Sequence, residues 1–183
     1  MKKLAFQKLL QKHKDRIFSY AFYFLHNRED AEDVTQEVFV RLWQHWDKID
    51  RNRVVAWMIR VAHNQCVDLV RHKKNSSGYF RNSVQLDIEK IPEKEGDPAL
   101  NYEQKESQKA LLSALEMLPE KTKSMLLLHY FHGLKCETIG EILDTNVNTV
   151  KVAIHRGRKM LRHALSEQFP ERSERYRDGY AMP

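Results

Sequence analysis

The side chains in this sequence best placed to do chemistry are cations. Lys151, His155, Arg156, Arg158, Lys159, Arg162 and His163 crowd one stretch, and no acidic residue occurs between Thr145 and Ser166. A surface helix normally mixes its charges, because like charges one turn apart repel. A group of five Lys/Arg with no carboxylate among them points to a partner that supplies the negative charge. Val150, Ile154, Leu161 and Leu165 run through the same stretch at spacings of four, seven and four, the apolar stripe of an amphipathic helix.

The elements that must position these cations lie just before them. Ile139, Ile142 and Leu143 recur at helical spacing in KCETIGEIL, and Asp144-Thr145-Asn146 then breaks the pattern with residues that favour turns. Asn148 is expected to cap the basic helix through its side-chain oxygen. A short helix, a tight turn and a basic helix form the layout of a helix-turn-helix, with the second helix in the major groove of duplex DNA. A basic, solvated helix that closes a bundle is the alternative reading.

Other chemistry finds little support. The sequence has no Walker loop, no Gly-x-Ser-x-Gly and no His-Glu-x-x-His. His63 and Cys66 stand at i,i+3, but two ligands without companions do not make a metal site. No enzyme activity, metal or cofactor is expected.

Composition sets the outer limits. A chain of 183 residues with formal charge +6 allows one or two modest domains and permits nucleic acid or anionic surfaces as partners. Six Gly, five Pro and no run of alternating β-branched residues predict an all-α protein. No apolar run approaches the roughly 20 residues that span a bilayer, so no membrane insertion is expected. The opening MKKLAFQKLLQKHKDR lacks the apolar core of a signal peptide. Cys66 and Cys136 have no framework spacing, and reduced thiols in a cytoplasmic protein are expected.

Along the chain, apolar residues from Leu4 to Leu25 predict an amphipathic helix whose second half is aromatic, a core feature. In REDAEDVTQEVFVRLW, acidic first turns suit the positive end of a helix dipole. Val34, Val38 and Leu42 face inward there, while Asp33, Gln36, Glu37 and Val40 lie on the flank. That flank fits either a docking surface or a solvated face.

A polar loop at 47–53 leads to a third helix with Val55, Ile59, Ala62, Cys66 and Leu69 inside. Its outer face carries Trp57, Arg60, Asn64, Asp68 and Arg71. An exposed Trp among amides and arginines can stack on an unpaired base; the competing reading buries Trp57 and pairs Arg60 with a carboxylate. Residues 76–97, rich in turn-formers and mixed charge, read as a flexible linker. A helix from Pro98 to Met117, another ended by Gly133, and the basic pair follow. Residues 170–183 read as a frayed tail. Two small helical domains joined by that linker result, the C-terminal one with the helix-turn-helix.

Taken in order, REDAEDVTQEVFVRLW, AWMIRVAHNQCVDLVRHKK and LEMLPEKTKSMLLLHYFHGLKCETIGEILDTNVNTVKVAIHRGRKMLR resemble an extracytoplasmic-function (ECF) RNA polymerase sigma factor. The resemblance covers nearly the whole chain except linker and tail. It implies sigma domain 2 at 1–75, a linker at 76–97, sigma domain 4 at 98–169 and a tail at 170–183. It also implies core RNA polymerase and promoter DNA as partners, with an anti-sigma factor as the usual control.

By the same resemblance, Asp33, Gln36, Glu37 and Val40 would dock on core polymerase. Asp50, Arg51, Asn52 and Arg53 fall in a loop that captures a flipped base of the minus-ten element. Trp57, Arg60, Asn64 and Arg71 would hold the melted strand. Thr149, Lys151, Val152, His155, Arg156, Arg158 and Lys159 would meet the minus-thirty-five duplex. Two positions depart from the family pattern. Ala153 stands for a common Arg, which bears on the promoter sequence, and Gly157 for a common Ala, at about 1 kcal/mol of helix propensity.

Two other classes are weighed beside this one. A conventional helix-turn-helix activator would bind duplex promoter DNA without polymerase, through an N-terminal half that senses a ligand or phosphate. A phosphate receiver would need alternating strands, which the acidic helix and the Trp/Arg/Asn helix do not supply. A helical hydrolase would need clustered His and Asp/Glu ligands.

Overall fold

Helical periodicity without strand signals gives seven helices among the residues that the computed structural model describes, 2–76 and 98–168. They are α1 (Lys2–Leu25), α2 (Arg28–Gln44), α3 (Val54–Ser76), α4 (Pro98–Glu116), α5 (Glu120–His132), α6 (Cys136–Leu143) and α7 (Val147–Gln168). Apart from Ser76, which closes α3, the linker expected at 76–97 lies outside the described residues, as does the tail at 170–183. Among the described residues no helix is long and apolar enough to cross a membrane.

The first three helices form one unit. α1 ends at His26, whose φ of 57° is left-handed and whose N–H reaches the Phe22 carbonyl at 2.8 Å. Asn27 then caps α2, its side chain accepting from the Asp30 N–H at 2.9 Å. Glu29 and Asp30 occupy the first turn, at the positive end of the helix dipole. Ile17, Phe24, Val34, Leu42, Met58 and Ile59 are buried among these helices. Burying each such side chain contributes about 1.5–3 kcal/mol. The inner side of α3 is Met58, Ile59, Ala62 and Cys66, whereas Val55 and Leu69, expected there, are half-buried at its edges.

The last four helices form the second unit, with α7 packed on α4, α5 and α6. Leu112, Leu115, Leu126, Leu128, Ile139 and Val150 make its interior. Gly133 ends α5 at φ 61°, a left-handed position that favours glycine.

The two units do not stand apart. α1 packs on α5 and α3 on α6, so that a single apolar cluster runs from Ile17 in α1 to Ile154 in α7. Polar contacts cross the same seam. Lys123 Nζ donates to the Phe24 carbonyl at 2.9 Å, Arg16 Nη2 to that of Phe131 at 3.2 Å, and Gln108 Nε2 to the Tyr23 hydroxyl at 3.2 Å. The rings of Tyr23 and Phe131 stand 4.6 Å apart.

Candidate nucleic-acid interface

The basic helix is mounted by a turn that leaves no room to spare. Asp144 takes a left-handed φ of 48° at the end of α6, and the Thr145 N–H bonds the Gly140 carbonyl at 2.9 Å. A Cβ at Gly140 would lie 2.8 Å from the Thr145 carbonyl oxygen, so glycine is required where the chain folds back on α6. Asn146, not Asn148, caps α7. Its side-chain oxygen accepts from the Asn148 N–H at 2.8 Å, and its carbonyl from the Val150 N–H at 3.1 Å. The sequence places two asparagines within three residues, and only the turn geometry chooses between them.

From that anchor α7 buries Val150 and Ile154 and turns Thr149, Lys151, Val152, His155, Arg156 and Lys159 to solvent. Val152, at 47% exposure, is an apolar contact set among cations, suited to a thymine methyl. Arg158 differs from the rest in being half-buried on the flank. Gly157 has a reason that helix propensity hides. A Cβ there would stand 2.6 Å from both Leu126 Cδ1 and Thr122 Cγ2, so its absence lets α7 cross closely over α5.

A second face lies on α3 and the loop before it. Asp50, Arg51, Asn52 and Arg53 are all exposed, and the Asp50 carboxylate accepts from the Asn52 N–H at 2.9 Å to shape the bend. Beneath this loop Ala5, Leu9, Leu42, Trp46, Ile49 and Val54 line a small apolar cleft roofed by Arg51. The Arg51 guanidinium lies 5.5 Å from the centre of the Trp46 ring, a cation–π approach. Trp46 was not singled out in the sequence, and its buried indole N–H has no partner among the described residues.

On α3 itself Asn64 and Arg71 are exposed, and Trp57 is half-buried beside His45, ring centres 6.2 Å apart. Neither sequence reading of Trp57 holds in full. Arg60 is exposed but engaged, donating to the backbone carbonyl of Glu141 at the end of α6 rather than to a carboxylate.

The third face is on α2. Asp33, Gln36 and Val40 are exposed, and Glu37 pairs with Arg41 one turn on at 2.5 Å. Beside them Phe6, Leu10, Phe39 and Trp43 line an apolar groove between α1 and α2 that the linear pattern did not single out. Trp43 is 43% exposed and Val40 48%, large apolar surfaces for a helix bearing five carboxylates.

Among the described residues no three His, Cys, Asp or Glu side chains come together as a metal site would require. His63 and Cys66 have other roles: His63 Nδ1 shares a hydrogen bond with the Tyr20 hydroxyl at 2.9 Å, and burial pushes the Cys66 thiol well up.

Comparison with known proteins finds two regions of one family in this chain. Residues 9–76 match sigma-70 region 2 and residues 108–161 match sigma-70 region 4. Over 174 residues the chain is 32% identical to the ECF RNA polymerase sigma factor SigW of Bacillus subtilis, covering 89% of this chain and 90% of SigW. The chain belongs to the extracytoplasmic-function sigma factors.

As such a sigma factor it directs RNA polymerase to promoters and is not an enzyme. It is also 29% identical over 171 residues to SigE of Mycolicibacterium smegmatis, covering 93% of this chain but only 65% of that longer protein. Two solved structures share the fold. The sigma factor RpoE of Bartonella quintana, in complex with the anti-sigma factor NepR, gives a TM-score of 0.71 at 21% identity over 88% of this chain and 97% of that one. CnrH, in complex with the cytosolic domain of CnrY, gives 0.66 at 24% identity over 90% of each chain.

Proposed function

We propose that this sigma factor divides promoter recognition between its two units. The unit at 98–169 reads the minus-thirty-five duplex through Thr149, Lys151, Val152, His155, Arg156, Arg158 and Lys159. The unit at 1–75 holds the opened minus-ten strand through Trp57, Arg60, Asn64 and Arg71, with an extruded base captured by the loop of Asp50, Arg51, Asn52 and Arg53. Asp33, Gln36, Glu37 and Val40, with the groove beside Trp43, receive core RNA polymerase. The proteins of like fold solved with NepR and CnrY support an anti-sigma factor as a further partner, and work on promoters supports a cytoplasmic location.

The observation that carries this reading is the acid-free face of α7 presented on a rigid turn, in one chain with the Trp/Arg/Asn face of α3. A rigid helix suits paired bases, whose edges are read in the major groove while phosphates fix the register. Melted DNA needs a different surface, because unstacking costs a few kcal/mol per base that capture of the extruded base recovers in part. Polymerase holds both units on one promoter, so neither has to bind DNA tightly alone.

Footprinting of the assembled polymerase–promoter complex tests the division. Lys151→Ala with Arg156→Ala is expected to erase protection of the minus-thirty-five element while leaving polymerase binding intact. Asn64→Ala is expected to lower permanganate reactivity of the melted segment more than it lowers duplex protection. Wild-type footprints in the double variant, or wild-type reactivity in Asn64→Ala, would reject the corresponding assignment.

A further inference from the structure

Three histidines lie where the two units meet, His26 and His132 buried and His63 half-buried, and none serves the promoter or polymerase faces. His26 stands in the left-handed turn after α1, a position that costs a bulky residue strain, with its side chain only 2% exposed. Neither ring nitrogen has a hydrogen-bond partner among the described residues. His132, at the end of α5, is 8% exposed, packs its ring 5.7 Å from that of Tyr20 and leaves Nε2 without a partner. His63, on α3, faces the Tyr20 hydroxyl from the other side. Tyr20 itself is fully buried between the two.

The charges facing these rings come from both units. His26 meets Lys123 of α5 and, at 3.7 Å, the Glu116 carboxylate of α4. His63 meets Glu120 of α5 and Arg71 of its own helix. His132 meets Arg16 and His13 of α1, and His13 is in turn beside Lys12 and Arg16. Cations therefore outweigh the two carboxylates. Burial comes first in each case and, helped by those cations, holds His26 down at about 3 and His63 and His132 at about 4.

We propose that the seam between the units is a latch released by acid, in which protonation of His26, His63 and His132 separates the units and frees the faces they cover. What is freed includes Arg60, whose guanidinium the closed form engages with the α6 carbonyl of Glu141. The consequence for promoter binding rests on the assignment of α3 to the melted strand; the opening itself does not.

The sign follows from linkage. A histidine kept neutral in the closed form and titrating at its ordinary 6.5 once exposed stabilises closure fully above that value. That stabilisation is lost as pH falls, roughly tenfold in the closed-to-open ratio per histidine by about pH 5.5. Each new imidazolium is a buried charge whose cheapest relief is hydration, and opening supplies it.

The test is energy transfer in the full chain between dyes at Lys48→Cys and Arg162→Cys, in a Cys136→Ser background, with helicity followed by circular dichroism. Transfer is expected to change between about pH 7.5 and about pH 5.5 while helicity holds. The variant His26→Asn, His63→Gln, His132→Gln, in which Asn tolerates the left-handed turn, is expected to keep one transfer value across that range. Unchanged wild-type transfer, a parallel loss of helicity, or the same pH response in the triple variant would overturn the latch. Should the triple variant misfold, proton NMR of the wild-type imidazoles decides. The three seam histidines are expected to titrate together, in step with the transfer change; titration near 6.5 with transfer unchanged would overturn it.

Discussion

Gly157 shows at the residue scale how packing overrules propensity. Glycine inside a helix costs about 1 kcal/mol against alanine, so Gly157→Ala should stabilise α7 if propensity decided. The added methyl would instead fall 2.6 Å from Leu126 Cδ1 and Thr122 Cγ2, and Leu126 is 2% exposed with little room to yield. Overpacking of this kind costs about 1–3 kcal/mol. Gly157→Ala is therefore expected to lower the urea unfolding midpoint, and a raised midpoint would contradict the close crossing of α7 over α5. Asn146 makes a similar point: removing the cap by Asn146→Ala is expected to cost about 1 kcal/mol, while Asn148→Ala, whose side chain does not cap α7, should cost less.

The α6–α7 pair is the element on which duplex reading turns. Its angle is fixed by the left-handed Asp144, the Thr145–Gly140 bond and the absence of a Cβ at Gly140. Gly140→Ala would press a methyl against the Thr145 backbone, which cannot rotate away as a side chain does. It is expected to weaken duplex binding about tenfold or more, since a shift at the turn is carried along the whole length of α7 and misaligns side chains that must meet base edges. Binding to a minus-thirty-five duplex by anisotropy checks this, and wild-type affinity would show that the turn does not set the angle.

Elements were the most legible part of the sequence, because helix periodicity, acidic first turns and the Gly133 stop are local signals. The faces on α7 and α2 were legible for the same reason, since i,i+4 spacing alone sorts exposed from buried positions there. What is absent from local pattern is what depends on contact between distant segments. The needs of Gly140 and Gly157, the orphaned indole of Trp46 and the engagement of Arg60 by α6 all arise where one part of the chain meets another.

At the scale of the whole molecule the two units share a core, which two domains on a linker need not do. Trp43, Trp46 and Trp57 all lie in the first unit, so indole fluorescence reports on that unit while circular dichroism reports on both. At neutral pH the two signals are expected to lose amplitude at one midpoint in urea, as cooperative unfolding requires. Two separated transitions would contradict a common core. On the role proposed for Arg60 at the melted strand, polymerase and promoter act on a chain that opens, since Arg60 is held by the Glu141 carbonyl of α6 in the closed arrangement.

Run-off transcription with purified core polymerase on promoter fragments from the protein's own genome tests the central claim most directly. Wild-type protein is expected to bind core polymerase and start transcription at discrete sites. Lys151→Ala with Arg156→Ala is expected to bind core equally well yet lose those starts. A protein that fails to associate with core polymerase, or that leaves it unable to start at any site, would contradict the division of promoter recognition between two helical units.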